Sequence, residues 1–180
     1  MKVYAITDIN KVEECREYLR YKNERDLVMF EIQLKTLLRI SDILNLRVKD
    51  VYKKTTIRVR QKKTKEVIEI PIRTDLKKLL DKYCQDKAPL EYLIKSRNGV
   101  NKPITTTQAY RIFKNMANYL NIDRFGTHSV RKTGAYHIYN STKDIEFVKR
   151  LLGHKTNYQV YAYIYSGLKS DRDLINKVRL

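Results

Sequence analysis

Apolar residues recur at helical spacing along most of this 180-residue chain, but between Thr55 and Ile72 the period changes to two. There Ile57 and Val59 alternate with Arg58 and Arg60, and Ile68, Ile70 and Ile72 alternate with Val67, Glu69 and Pro71. A period of two sends successive side chains to opposite faces, so this window predicts a β-hairpin joined by Gln61-Lys62-Lys63-Thr64-Lys65. The rest of the chain reads as mainly helical. The fold class expected is therefore α+β, mainly helical, with one small antiparallel β-hairpin or three-stranded sheet.

The helical stretches carry their own boundaries. Asp8 caps a first helix with Val12, Cys15, Tyr18 and Leu19 at helical spacing, and a second runs from about Glu24 to Leu38. A short third begins at Ser41 and Asp42 and passes through Leu46, and another covers Asp75 to Tyr83. Ser96-Arg97-Asn98-Gly99 marks a turn, and Thr105-Thr106-Thr107 leads a helix through Tyr110, Phe113, Met116 and Leu120. After Gly126, Thr127 is read as the cap of a helix through Val130, Ala135 and Ile138. A helix from Asp144 to Leu152 is stopped by Gly153, and a last one starts near Thr156 or Asn157. With 5 Gly, 3 Pro and no segment enriched in them, there is no sign of a linker or repeat, and 42% hydrophobic content suffices for one core.

Charge narrows the function. Lys and Arg number 38 against 20 Asp and Glu, a net charge of +18, the balance expected of a protein that neutralises phosphates. No stretch pairs a basic face with a Trp-rich or Phe-rich one, Trp is absent, and no window approaches a membrane span, so nucleic acid is the expected partner and the cytoplasm the expected location. Cys15 and Cys84 lie far apart in helical segments and suit reduced thiols; with three His and no Cys pair, no metal site is expected.

Within this frame a few residues invite chemistry. Arg39 interrupts the apolar run Leu37-Leu38-Arg39-Ile40, and a cation there needs an anion, whether Asp42 in a structural pair or a ligand. His128 and Arg131, three apart near a helix start, would meet a phosphate together, or be ordinary solvated charges. His154 follows the helix stop Gly153, where a capping role is equally open. Tyr163 comes nine positions later among 14 tyrosines, of which Tyr158, Tyr161 and Tyr165 can equally be packing residues. Lys63 sits in a hairpin cluster with Lys53, Lys54, Arg58, Arg60, Lys62 and Lys65, suited to phosphate contact.

The order of this set, Arg39, Lys63, His128-Ser129-Val130-Arg131, Gly153-His154 and Tyr163, resembles the catalytic domain of the tyrosine recombinases, the phage integrase family, across essentially the whole chain. Also matching are Arg39-Ile40-Ser41-Asp42 and Thr127 through Thr133. The resemblance implies the following roles. Arg39 and Arg131 clamp a scissile phosphate, His128 and His154 hydrogen-bond to it, Lys63 is the hairpin lysine, Asp42 orients the clamp, and Tyr163 is the nucleophile, with Tyr161 and Tyr165 as substitutes. Lys53, Lys54, Arg58, Arg60, Lys62, Lys65 and Lys132 are the expected DNA contacts. The expected activity is breakage and rejoining of double-stranded DNA through a 3′-phosphotyrosyl intermediate, without metal, ATP or other cofactor. Dimer-to-tetramer assembly on the DNA is expected with it. A type IB topoisomerase-like activity and a DNA-binding module that has lost catalysis are the competing readings. The family's separate DNA-binding domain has only about 20 residues to occupy before the second helix. The expectation is therefore a single catalytic domain, 1–180, without that partner domain.

Overall fold

The computed structural model of the chain describes residues 3–61 and 65–165. Within them lie eight α-helices and a two-stranded sheet. The helices are α1 (Ile9–Lys22), α2 (Glu24–Thr36), α3 (Ile40–Ile43), α4 (Thr74–Cys84), α5 (Thr106–Tyr119), α6 (Thr127–Thr142), α7 (Ile145–Leu152) and α8 (Asn157–Tyr165). The strands are β1 (Thr56–Arg60) and β2 (Val67–Pro71), paired antiparallel with Ile57 opposite Ile70 and Val59 opposite Ile68. The period-two window thus forms the hairpin, and the three-stranded alternative has no third strand among the described residues. Ile57, Val59 and Ile70 are buried and Arg58, Arg60 and Glu69 exposed, as the alternation requires.

Helix α2 is the axis of the molecule. Leu27 to Leu34 are buried on every side, which a helix allows only when other elements surround it, and here α1, α4 and α6 do so. Its end differs from the sequence expectation by two residues. Thr36 turns its hydroxyl back onto the Ile32 carbonyl (2.6 Å) and accepts the Leu38 N–H (3.3 Å), and Leu37 adopts the left-handed region at φ 57°. That conformation is costly for a branched residue, and it turns the chain sharply just before Arg39. Arg39 then stands at the N-cap of α3, which starts at Ile40 and ends before Leu46. The cap of α6 also moves by one: Gly126 precedes the helix and donates its N–H to Ser129 Oγ (3.1 Å), so Thr127 is the first helical residue.

A buried ion network ties α1, α2 and α4. Glu31 accepts from Arg16 Nε (2.5 Å) and pairs with Lys35 (2.6 Å), which also reaches Asp75 (2.9 Å). Removing the shared buried anion leaves Arg16 with only the exposed Glu13 and Lys35 with only the exposed Asp75. Glu31→Ala is therefore expected to cost about 3–5 kcal/mol of stability, read from urea unfolding. Loss of less than about 1 kcal/mol would mean that the network contributes little, as exposed pairs do.

Cys15 and Cys84 are free and fully buried, and burial pushes their thiols up to about 12 and about 11, so neither is a reactive thiolate. No helix among the described residues is long and apolar enough to cross a membrane.

Candidate active site

Arg131, on the second turn of α6, is the centre of the site. Its guanidinium is buried and gripped by backbone: Nε donates to the Leu37 carbonyl and Nη2 to the Leu152 carbonyl at 2.8 Å. The left-handed turn of Leu37 and the C-terminal end of α7 each present a carbonyl that has no place in a helical ladder, and the arginine takes both. Burial, with the nearby charge of Arg39 adding to it, lowers the guanidinium to about 10, while Tyr163 and the buried carboxylate of Asp42 act in the opposite sense. It remains cationic at neutral pH. Asp42, 2% exposed, thus works electrostatically on the second arginine as well as standing next to the first.

The other groups converge on this cation. The Tyr163 ring lies 5.9 Å from the Arg131 guanidinium carbon and meets His154 edge-on, with ring centroids 5.3 Å apart. Gly153 takes the left-handed region (φ 63°) at the end of α7, and the N–H of His154 bonds back to the Lys149 carbonyl at 3.1 Å, which fixes the histidine against the pocket. Arg39 reaches the same place from the other side, its charge acting on both His154 and Tyr163. Burial raises the Tyr163 phenol above its ordinary range, and the two arginines pull it back down. His128 is exposed on the first turn of α6, one turn before Arg131.

The three tyrosine candidates separate cleanly. Tyr161 and Tyr165 lie four apart on one face of α8, stack on each other at 6.3 Å, and are 39% and 42% exposed; Tyr161 also meets the Tyr139 hydroxyl at 3.2 Å. Tyr163, halfway between them in sequence, points to the opposite side of the helix and into the pocket.

Lys53, Lys54, Arg58, Arg60 and Lys65 are exposed beside or on the hairpin, Arg58 pairing with Glu69 at 3.5 Å and Arg60 donating to the Lys65 carbonyl at 3.1 Å. Lys62 and Lys63 lie outside the described residues. Lys132 departs from the expectation of an outward cation: it is 8% exposed, its ammonium donates to the Val3 carbonyl at 2.9 Å, and it stands 5.3 Å from the Tyr163 ring. The reason is its position on α6, where the turn that aims Arg131 inward also carries Lys132 beneath the N-terminal segment.

Three contributors escape a reading of motifs. The carbonyls of Leu37 and Leu152 carry no side-chain signature. Gln61, 1% exposed, accepts Arg39 Nη1–H at 3.0 Å. Its signal was available, because the inward register of Ile57 and Val59 continues onto it, and a polar group at an inward position needs a partner.

His154 gives a pH-dependent stability. Burial first, then the charges of Arg131 and Arg39, lower its imidazole from 6.5 to about 4, against a smaller opposing effect at Gln159. Between those values the unfolded chain holds a proton that the folded chain does not, so stability falls as pH drops through 6.5 and the loss levels off near 4. The full loss is about 3 kcal/mol. His154→Gln is expected to remove that part of the acid limb, seen by comparing urea unfolding of both proteins at neutral pH and near pH 4. Equal acid losses in the two would show that the imidazole is not desolvated.

The phage integrase family model matches residues 7–168. The chain belongs to the phage integrase family. Among relatives, this integrase-family chain is 40% identical to the probable integrase/recombinase YoeC of Bacillus subtilis (strain 168), over 94% of its own length and 92% of the relative's. It is 28% identical to a tyrosine recombinase of Pseudothermotoga lettingae, covering 96% of this chain and 61% of that one. Its fold matches a lambda integrase dimer bound to a COC' core site with a TM-score of 0.76 at 20% identity, over 100% of this chain and 52% of the other. The tyrosine recombinase fold expected from the motifs is the one observed. The chain thus spans most of one relative and between half and two thirds of the other two proteins.

Proposed function

We propose that this protein is a site-specific DNA recombinase that breaks and rejoins strands through a covalent 3′-phosphotyrosyl intermediate. The observation that carries the reading is the convergence, from four separate elements, of Arg39, Arg131 and His154 around the inward-facing Tyr163. A phosphodiester entering this pocket meets two guanidiniums that offset its charge, and a neutral imidazole able to donate a hydrogen bond to a non-bridging oxygen. His128, on the exposed first turn of α6, is a second imidazole donor for the same phosphate.

Tyr163 passes its proton to solvent and attacks phosphorus; the bond to the 5′ oxygen breaks, and Lys63 on the hairpin loop protonates the departing oxygen. The phosphotyrosyl ester keeps the bond energy, so attack by a 5′ hydroxyl of another strand reseals the backbone without ATP. The arginines that bind the phosphate also lower the phenol against the effect of burial, and so favour its ionised form. The exposed cations Lys53, Lys54, Arg58, Arg60 and Lys65 hold the flanking duplex. Strand exchange needs two duplexes, and the lambda integrase neighbour, seen as a dimer on its core site, supports assembly of this chain on DNA.

The test is incubation of the protein with nicked suicide duplexes carrying candidate sites, followed by denaturing electrophoresis and peptide mapping of any linked residue. A denaturation-resistant adduct on Tyr163 is expected. DNA binding with no adduct under any condition would identify a binding module instead. Relaxation of supercoiled DNA with no preferred site would identify a topoisomerase.

A further inference from the structure

Gln61 touches several parts of the site at once. It ends the inward register of β1, and its Oε1 accepts from Arg39 Nη1–H at 3.0 Å. The same amide lies against the turn that carries His154: a Cβ added to Gly153 would stand 3.2 Å from Oε1 and 3.6 Å from Nε2. Its backbone closes the root of the hairpin loop, the N–H donating to the Glu66 carbonyl (2.8 Å) and the carbonyl accepting from Lys65 N–H (2.9 Å). One buried side chain and its peptide therefore contact the first arginine, the end of α7 and, across the hairpin, Lys65 and Glu66.

We propose that Gln61 is a positioning residue that sets the Arg39 guanidinium, its own amide held between the base of the hairpin and the His154 turn. The inference rests on the recombinase reading above. Its chemistry explains an amide in preference to a carboxylate. A neutral acceptor orients the guanidinium while leaving its positive charge for the phosphate, whereas an anion at this distance would compete with the phosphate for that charge. It also accounts for Gly153, since any side chain there would combine a left-handed backbone with pressure on the Gln61 amide.

The test uses two variants of the full chain, Gln61→Glu and Gln61→Met, in the suicide-duplex adduct assay under single turnover. Each is compared with the wild type and measured again in an Arg39→Ala background. Gln61→Glu keeps the shape and adds the competing charge, and its adduct rate is expected to fall on the order of 10²-fold. Gln61→Met keeps the volume and removes the acceptor, and a fall of about 10-fold or more is expected. With Arg39 already gone, either substitution is expected to change the rate by less than about twofold, because the residue acts through that arginine. A duplex with an uncharged methylphosphonate at the scissile position separates the role further: it should narrow the gap between wild type and Gln61→Glu, which a purely structural defect would leave unchanged. Wild-type rates in both variants, losses that multiply with Arg39→Ala, or an unchanged gap on methylphosphonate would overturn the assignment. If Gln61→Met does not fold, Gln61→Glu decides alone. Absence of an adduct from the wild type itself would instead sink the recombinase reading, and the positioning role with it.

Discussion

Tyr163→Phe is expected to abolish the covalent DNA adduct, lowering its formation by more than about 10⁴-fold, because a covalent nucleophile has no substitute within the pocket. The two nearest phenols are turned away on the opposite face of α8, engaged with each other and with Tyr139. Tyr161→Phe and Tyr165→Phe should accordingly form the adduct at near-normal rates. The phenylalanine variant loses only a hydroxyl, so its ring still packs against His154 and its melting temperature should stay close to that of the wild type. It should also bind duplex DNA as tightly as the wild type, since Arg39, Arg131 and the hairpin cations are untouched. This pairing of lost chemistry with retained binding is the result that separates a nucleophile from a packing residue. An adduct that survives in Tyr163→Phe and vanishes in Tyr161→Phe would move the nucleophile to the outer face and break the pocket argument.

Gly134→Ala should unfold the protein or cost more than about 4 kcal/mol, read from urea unfolding. In an ordinary exposed helix the same change gains stability, since alanine is the better helix former by about 1 kcal/mol. Here the sign reverses because α6 crosses α2 at Gly134: an added Cβ would lie 2.0 Å from the Leu34 carbonyl oxygen and 2.7 Å from a methyl of Leu37. The first of these contacts is with helix backbone, which cannot swing aside as a side chain can. The crossing also sets the site. Gly134 lies three positions from Arg131, and Leu34 three positions from Leu37, so the close approach that brings these glycine and carbonyl positions together also delivers the Leu37 carbonyl to the Arg131 guanidinium. A variant that folds with the helices pushed apart should therefore have lost the arginine's anchor and the adduct with it. Stability equal to or above the wild type would show that the two helices are not held at this distance.

Much of the molecule was legible in the residues. The hairpin came from the alternation of Ile57 and Val59 with arginines, and the observed register follows it. Asp8, Thr105, Asp144 and Gly153 marked helix ends where they occur, because capping is a local bargain between a side chain or a glycine and the nearest unpaired backbone groups. Ends set by distant contacts were misplaced. Helix α2 stops at Thr36 and not Leu38 because Leu37 is held left-handed inside the core, with its carbonyl committed to Arg131, almost a hundred residues away. Lys132 read as a surface cation from its neighbours in sequence, yet Val3 and the Tyr163 ring draw it inward.

The amino-acid order alone determined the helices, the hairpin and the kinds of side chain available for phosphate chemistry, since each depends on spacing over a few residues. Folding in three dimensions decided which tyrosine faces the cations, which lysine turns away from solvent, and what holds Arg131 in place. Those outcomes depend on backbone carbonyls and on how closely two helices cross, and neither a carbonyl's direction nor an interaxial distance is written in any local pattern of residues.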